Sequence, residues 1–337
     1  MILYDPHIPV SLNEFGIQIP ICDSRATNTL EALRRDPGLG PCQIQWHQEK
    51  VLETLNRQDL LRVHSPEYVQ RLFSDNLVEE ILSTYELVDP DGKYNRYAPE
   101  LATRPLADLF ERILIKAAGT VQSSRLALAQ GFCFYFSGGM HHAHHHHGSG
   151  FCLINDIVIA ARKLQAERKV QKIWIIDVDA HKGDGTAALT AADNSIHTLS
   201  IHMARGWPLD GPIKLADGTA NPSFIPSDID IPIETGEEAY YIDRLMAGLI
   251  QLEHLGTADL AIVVCGADPF EKDQLPSTAG LKLSLDQMMA RDQLVYTFLD
   301  QRRIPAAFLM AGGYGEKTWR VYAQFLIWAL ALRHTDS

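Results

Sequence analysis

The chain has 337 residues, 46% apolar and 21% charged, with 23 glycines, 17 prolines and 5 cysteines. A chain of this length buries about three quarters of its unfolded surface, which excludes a small disulfide scaffold and leaves room for one large or two small domains. The 30 basic and 42 acidic side chains give a net charge of −12, so nucleic acid is not an expected partner and cationic groups such as lysine-bearing peptides or polyamines are.

In chain order, the opening MILYDPHIPVSLNEF has neither a basic n-region nor an apolar h-region and is not expected to act as a secretory signal. A helical pattern near residues 107–129 leads into a short apolar run at 132–136. After it come a helix at 156–167, strands at 173–178, 197–202 and 229–233, and a helix at 237–254. A strand at 260–265, a helix at 284–302, a strand at 306–310 and a helix at 316–332 complete the chain. Strands separated by helices mark βαβ units. Continuous apolar strands such as KIWIID and LAIVVCGAD suit a sheet covered on both faces. The expectation is therefore an α/β fold with an open, mainly parallel sheet and helices on both faces, as one domain over residues 1–337. The longest apolar stretch, 325–332, falls far short of the roughly 20 residues a membrane span needs. Cys22, Cys42, Cys133, Cys152 and Cys265 form no C-x-x-C pair and read as reduced thiols, so a cytoplasmic location is expected.

In such sheets the chemistry lies beyond the carboxyl ends of the strands. Four polar clusters follow strands here: S-G-G-M-H-H, D-V-D-A-H, an aspartate at 268 and A-G-G-Y. Asp177, Asp179 and His181 alternate at period two, so an extended chain points them the same way. Asp179 and His181 with Asp268 from another strand make a three-ligand N/O set, the pattern of a catalytic zinc site with an open position. D-x-D-x-H alone is equally compatible with a strand cap and two turn residues. His141 and His142 can act as base and acid near neutral pH if Asp177 and Asp184 fix their tautomers, although a bare pair also fits a solvated loop. The run from His144 to His147 reads as an exposed loop that binds metal adventitiously. Tyr314, beside flexible glycines, can donate to a carbonyl as charge develops on its oxygen.

Together these motifs resemble the zinc-dependent histone deacetylase family of the arginase–deacetylase superfamily. The resemblance runs from VHSPEYV (63–69) to the end of the chain, through RP at 104–105, SGGMHHA, SGFCLINDIVIA, IIDVDAHKGDGT, LSIH, CGADPF and AGGYG in order. With DPFEKDQLPSTAGLKLS followed by RDQLVY, it looks most like the class IV branch and its bacterial relatives. The resemblance implies that Asp179, His181 and Asp268 bind zinc. It makes His142 the general base, His141 its electrostatic partner, and Asp177 and Asp184 the carboxylates that hold them. Tyr314 would polarise the acyl carbonyl. Gly150, Phe151, Trp207 and Leu275 would line the tunnel and its rim. A structural potassium ion would be held by Asp177, Asp179, His181, Ser200 and Ile201. The implied activity is hydrolysis of acetyl or longer fatty acyl groups from Nε-acyl-lysine, in a peptide, a protein or a small acylated amine.

Lys182 stands where many of that family carry histidine or glutamine, which places a cation beside an expected zinc ligand. The rival substrate class is an acetylpolyamine, which needs acid at the rim. Leu275 argues against it, and Glu271 and Asp273 keep it open. A binuclear manganese hydrolase lacks the further aspartates that it would need, and a non-catalytic descendant would be expected to have lost one of these residues. The stretch 89–97, acidic and aromatic, is expected to frame the entrance.

Overall fold

The computed structural model describes residues 1–335 apart from 210 and 212. Eight strands build one sheet: β1 (Ile2–Leu3), β2 (His47–Gln48), β3 (Phe132–Tyr135), β4 (Ile173–Asp177), β5 (Ile196–Met203), β6 (Ile229–Ile233), β7 (Leu260–Val264) and β8 (Ala306–Leu309). Their order is β2-β1-β3-β8-β7-β4-β5-β6, and every neighbouring pair is parallel. The six strands expected from the apolar runs are β3 to β8. The two missed, β1 and β2, have two residues each, too few to show any periodicity.

Side-chain alternation splits the core in two. Phe134, Trp174, Ile176, Ala261 and Val263 face one side, under the helices Ser24–Arg35, Tyr241–His254, Leu285–Gln301 and Trp319–Thr335. Tyr135, Ile173, Ile175, Ile262 and Val264 face the other, under Leu109–Gln130 and Asp156–Ala166. β4 and β7 are buried along their whole length, as a doubly covered parallel sheet requires. β6 alternates buried and partly buried residues and carries Pro232, which suits its place at the sheet edge.

The carboxyl ends of β3, β4, β7 and β8 come together because these strands are neighbours in the order β3-β8-β7-β4. The loops leaving them are 136–155, 178–183, 265–275 and 310–318. Among the described residues no helix is long and apolar enough to cross a membrane.

Candidate active site

Asp179 and His181 leave β4 and Asp268 leaves β7, all three are buried, and each offers a ligand atom within 4.8 Å of the others. His181 Nδ1 lies 3.3 Å from Asp179 Oδ1 and 3.0 Å from Asp268 Oδ2. Its other nitrogen, Nε2, is 3.1 Å from the hydroxyl of Ser277, which fixes the ring from behind. Gly266 and Gly312 sit so close to the carboxylates that a β-carbon on either would come within 2.2 to 2.7 Å of an oxygen of Asp179 or Asp268. These glycines let the backbone close around the carboxylates.

The donor set fits a divalent cation. Burial and the neighbouring Asp179 push Asp268 up to about 7. His181, against the pull of burial, is held up at about 10 by Asp179 and Asp268. The cluster thus gathers positive charge to offset two buried carboxylates, a role that a metal ion fills directly.

The histidine pair follows the β3 loop. Nδ1 of His141 is 2.7 Å from Asp177, and Nδ1 of His142 is 2.7 Å from Asp184. Burial opposes charge on His141, yet Asp177 and Asp179 outweigh it and raise its pKa to about 9. His142 goes the other way: burial, then the charge on His141, lowers it to about 4 despite Asp184. Two adjacent imidazoles are thereby driven apart, one charged and one neutral. Tyr314 follows β8 and borders the same cavity as both histidines. Burial and the nearby Asp268 and Asp179 carry its pKa well above the ordinary value, so the phenol keeps its proton.

A cavity of about 240 Å³, lined by Gly150, Phe151, Trp207, Leu275 and Tyr314, leads to His142 and His181. Trp207 packs edge-on over His142 with ring centroids 4.4 Å apart. Gly150, at φ +53°, has no room for a side chain, since a β-carbon would lie 2.1 Å from Trp207 and 2.7 Å from His142. Phe151 itself adopts φ +65° and stacks on Tyr85 with centroids 6.1 Å apart. Of the stretch 89–97, Arg96 reaches this lining, with Glu86 just upstream. Of the potassium set, Ser200 pairs in register with Asp177 across β4 and β5, and its buried Oγ has no hydrogen-bond partner.

Several supporting residues escaped the sequence reading. Asp156 accepts from the Gly139 and Met140 amides at 3.0 and 2.7 Å and from the Thr120 hydroxyl, holding the turn that presents His141. Its signal was an acid at the first position of a helix in I-N-D-I-V, read there only as part of the helix. Arg291 is fully buried and donates to the carbonyls of Val178 and Gly266 at 3.0 and 2.7 Å, tying the loop after β4 to the loop after β7. The histidine run is less bland than expected. His145, His146 and His147 are exposed, but His144 is partly buried, with Nε2 3.1 Å from Asp184. Lys182 is buried and turns away from the ligands, pairing with Asp230 of β6 at 2.6 Å and donating to the Ser227 hydroxyl at 2.8 Å.

Comparison with known proteins gives the same picture. The model of the histone deacetylase domain matches residues 19–330. Acetoin utilization protein AcuC of Staphylococcus aureus (strain COL) is 30% identical over 312 residues, covering 91% of this chain and 75% of that protein. Histone deacetylase 2 of Arabidopsis thaliana is 27% identical over 278 residues, 82% of this chain; the match spans 66% of the plant protein, just under two thirds of its length. The crystal structure of the HDA15 HD domain superposes with a TM-score of 0.69 at 20% identity, over 98% of this chain and 88% of that one. With its motifs at the strand ends and the domain match running through nearly its whole length, the chain belongs to the histone deacetylase family.

Proposed function

We propose that this protein is a zinc-dependent amidohydrolase that removes acyl groups from Nε-acyl-lysine. The observation that carries the reading is the pair of His–Asp couples, each 2.7 Å long, beside a buried Asp-His-Asp ligand set at the inner end of a tunnel. Zinc held by Asp179, His181 and Asp268 would supply a Lewis acid for the acyl carbonyl and lower the pKa of water.

The chain's own groups account for the proton movements. Nδ1 of His142 is committed to Asp184, so Nε2 is the basic nitrogen. It takes a proton as the water oxygen bonds to the acyl carbon. It then returns that proton to the lysine nitrogen as the C–N bond breaks, leaving the amine and a carboxylic acid whose remaining proton passes to the amine, so that the products are an ammonium and a carboxylate. His141 stays charged against Asp177 and stabilises the negative charge that builds up beside it. Tyr314 donates its O–H to the acyl oxygen as that oxygen becomes anionic.

The unpartnered Ser200 Oγ, beside Asp177, supports a structural potassium ion held by Asp177, Asp179, His181, Ser200 and Ile201. The free cysteines, three of them buried, fit the cytoplasm as the compartment.

The tunnel mouth favours acyl-lysine over acetylpolyamine. Among the described residues its one carboxylate, Glu86, lies 3.4 Å from Arg96, whose guanidinium also sits over Phe151. Asp273 points inward and accepts from the Tyr314 and Leu275 amides at 2.7 and 2.9 Å. Glu271 pairs with Lys272 and lies outside the lining. Among the described residues, no unpaired acid at the mouth therefore meets a distal ammonium. The test is kcat/KM on an acetyl-lysine peptide against acetylputrescine. The peptide is expected to be the better substrate, and preference for acetylputrescine would overturn this substrate assignment.

A further inference from the structure

A second cavity, of about 110 Å³, shares His142, His181 and Tyr314 with the tunnel and continues past them between Val10, Leu12 and Ile113. The tunnel brings the lysine stem to the catalytic groups, so the acyl group of a bound substrate extends into this chamber. Two basic side chains, Arg25 and Lys116, line it. The hydrogen-bond partners of the buried Arg25 are main-chain carbonyls, Ala311, Gly313 and Met310 at 2.8, 3.2 and 3.5 Å, and its Nε has none. The Lys116 amine has only the Val10 carbonyl, at 3.5 Å. Among the described residues neither side chain forms an ion pair within 4 Å.

The charged groups around them do not remove this imbalance. Asp23 lies outside the lining and is occupied by the Val10 and Ser11 amides and the Ser11 hydroxyl. Arg112, a third cation, is paired with Glu14. Among the described residues, the one carboxylate that borders the chamber, Asp179, belongs to the metal-ligand set. A cation taken out of water without a counter-ion is costly, and an anion at hydrogen-bond distance offsets that cost. A fatty acyl tail would leave the imbalance in place, and a chain of fourteen carbons would not fit a space that holds several waters.

The geometry points to short acyl groups that end in a carboxylate, of succinyl or glutaryl type, as the preferred substrates of this site. The inference rests on the acyl-lysine reading above. The two or three methylenes of such a group cross the apolar wall formed by Val10, Leu12 and Ile113, and its carboxylate reaches Lys116 and Arg25. The reaction is the same hydrolysis. Water oxygen joins the acyl carbon, the C–N bond breaks, the lysine nitrogen takes both protons of the water and leaves as the ammonium, and succinate or glutarate leaves as the dianion.

The experiment compares kcat/KM of the zinc-loaded protein on succinyl-, glutaryl-, butyryl- and acetyl-lysine forms of one peptide. Butyryl matches succinyl in chain length and lacks the charge. An acidic acyl group is expected to exceed butyryl by roughly tenfold or more, the worth of a charged hydrogen bond. Lys116→Met is expected to erase or invert that ratio and Lys116→Arg to keep it. Succinate is also expected to inhibit the wild-type protein at concentrations roughly tenfold below those of butyrate, a readout that needs no variant to fold. Butyryl equal to or better than both acidic groups would overturn the inference while leaving the amidohydrolase reading intact, as would equal losses on both classes in Lys116→Met. No turnover of any acyl-lysine would overturn the amidohydrolase reading, and this inference with it.

Discussion

Tyr314 is anchored from both sides of its peptide, its amide donating to Asp273 at 2.7 Å and its carbonyl accepting from Gln274 at 3.2 Å. The phenol is therefore fixed by the backbone rather than by the atoms it serves. Tyr314→Phe should leave zinc content and fold unchanged and lower kcat on an acyl-lysine peptide by a factor on the order of 10²–10³, the worth of one oxyanion donor. Wild-type kcat in that variant would remove Tyr314 from the chemistry. Lys116 carries a different signature. Burial, with Arg25 and Arg112 adding to it, lowers its pKa from 10.5 to about 7. Below pH 7 the folded and unfolded chains both hold the proton, and the folded state bears the full penalty. Between about 7 and 10.5 the folded amine is already neutral, and the penalty fades as the pH rises. Lys116→Met should thus raise the melting temperature more at about pH 6 than at about pH 9.5. Equal gains at both pH values would mean that the amine is not held in this way. The ligands and histidines were readable because their spacing along one strand or turn carries the information. Asp156, Ser277, Arg25 and Lys116 were not, because their partners lie far away in sequence and only the fold brings them together.

The strand ends are held by buried cations rather than by their own pairing. Arg291 spans the loops after β4 and β7, and Arg25 holds the loop after β8. Arg291 also pairs with Asp292 at 2.8 Å, both of them buried. Breaking such a pair from one side leaves an uncompensated charge. Arg291→Met should therefore cost about 3–5 kcal/mol of unfolding free energy, read from urea melts, and Asp292→Leu added to it should recover part of the loss. A single variant as stable as wild type would show that the brace contributes nothing. The elements themselves were largely legible. Apolar runs, rich in Ile and Val in β4, β6 and β7 and in Phe and Ala in β3 and β8, marked the six strands, and their flanking helices followed from the 3.6-residue period. The helix expected at 316–332 begins only at Trp319, because the turn that follows Tyr314 occupies the residues before it. β1 and β2 are two-residue strands defined only by pairing with each other and with β3.

Across the whole molecule, one parallel sheet with a core on each face supports our reading of the chain as a single deacetylase-like domain. The neighbouring strands β3, β8, β7 and β4 converge on one rim. That rim sets a buried Asp-His-Asp cluster between a tunnel open to solvent and a chamber beyond it. The sheet's parallel order was evident from alternating strands and helices, whereas the chamber was not, because its walls come from segments distant in sequence, among them residues 10–25, 109–116, 137–142 and 311–314. The central claim is that this rim is a zinc amidohydrolase site, and metal removal tests it most directly. Acyl-lysine hydrolysis would be followed in the purified protein, after exhaustive chelation and after zinc is returned, with Asp179→Asn and His181→Ala alongside. The account predicts that chelation abolishes turnover and lowers the melting temperature, since a ligand bound only to the folded state stabilises it. Zinc should restore both in the wild type and neither fully in the variants. Turnover that survives chelation, or full zinc content in both variants, would contradict it.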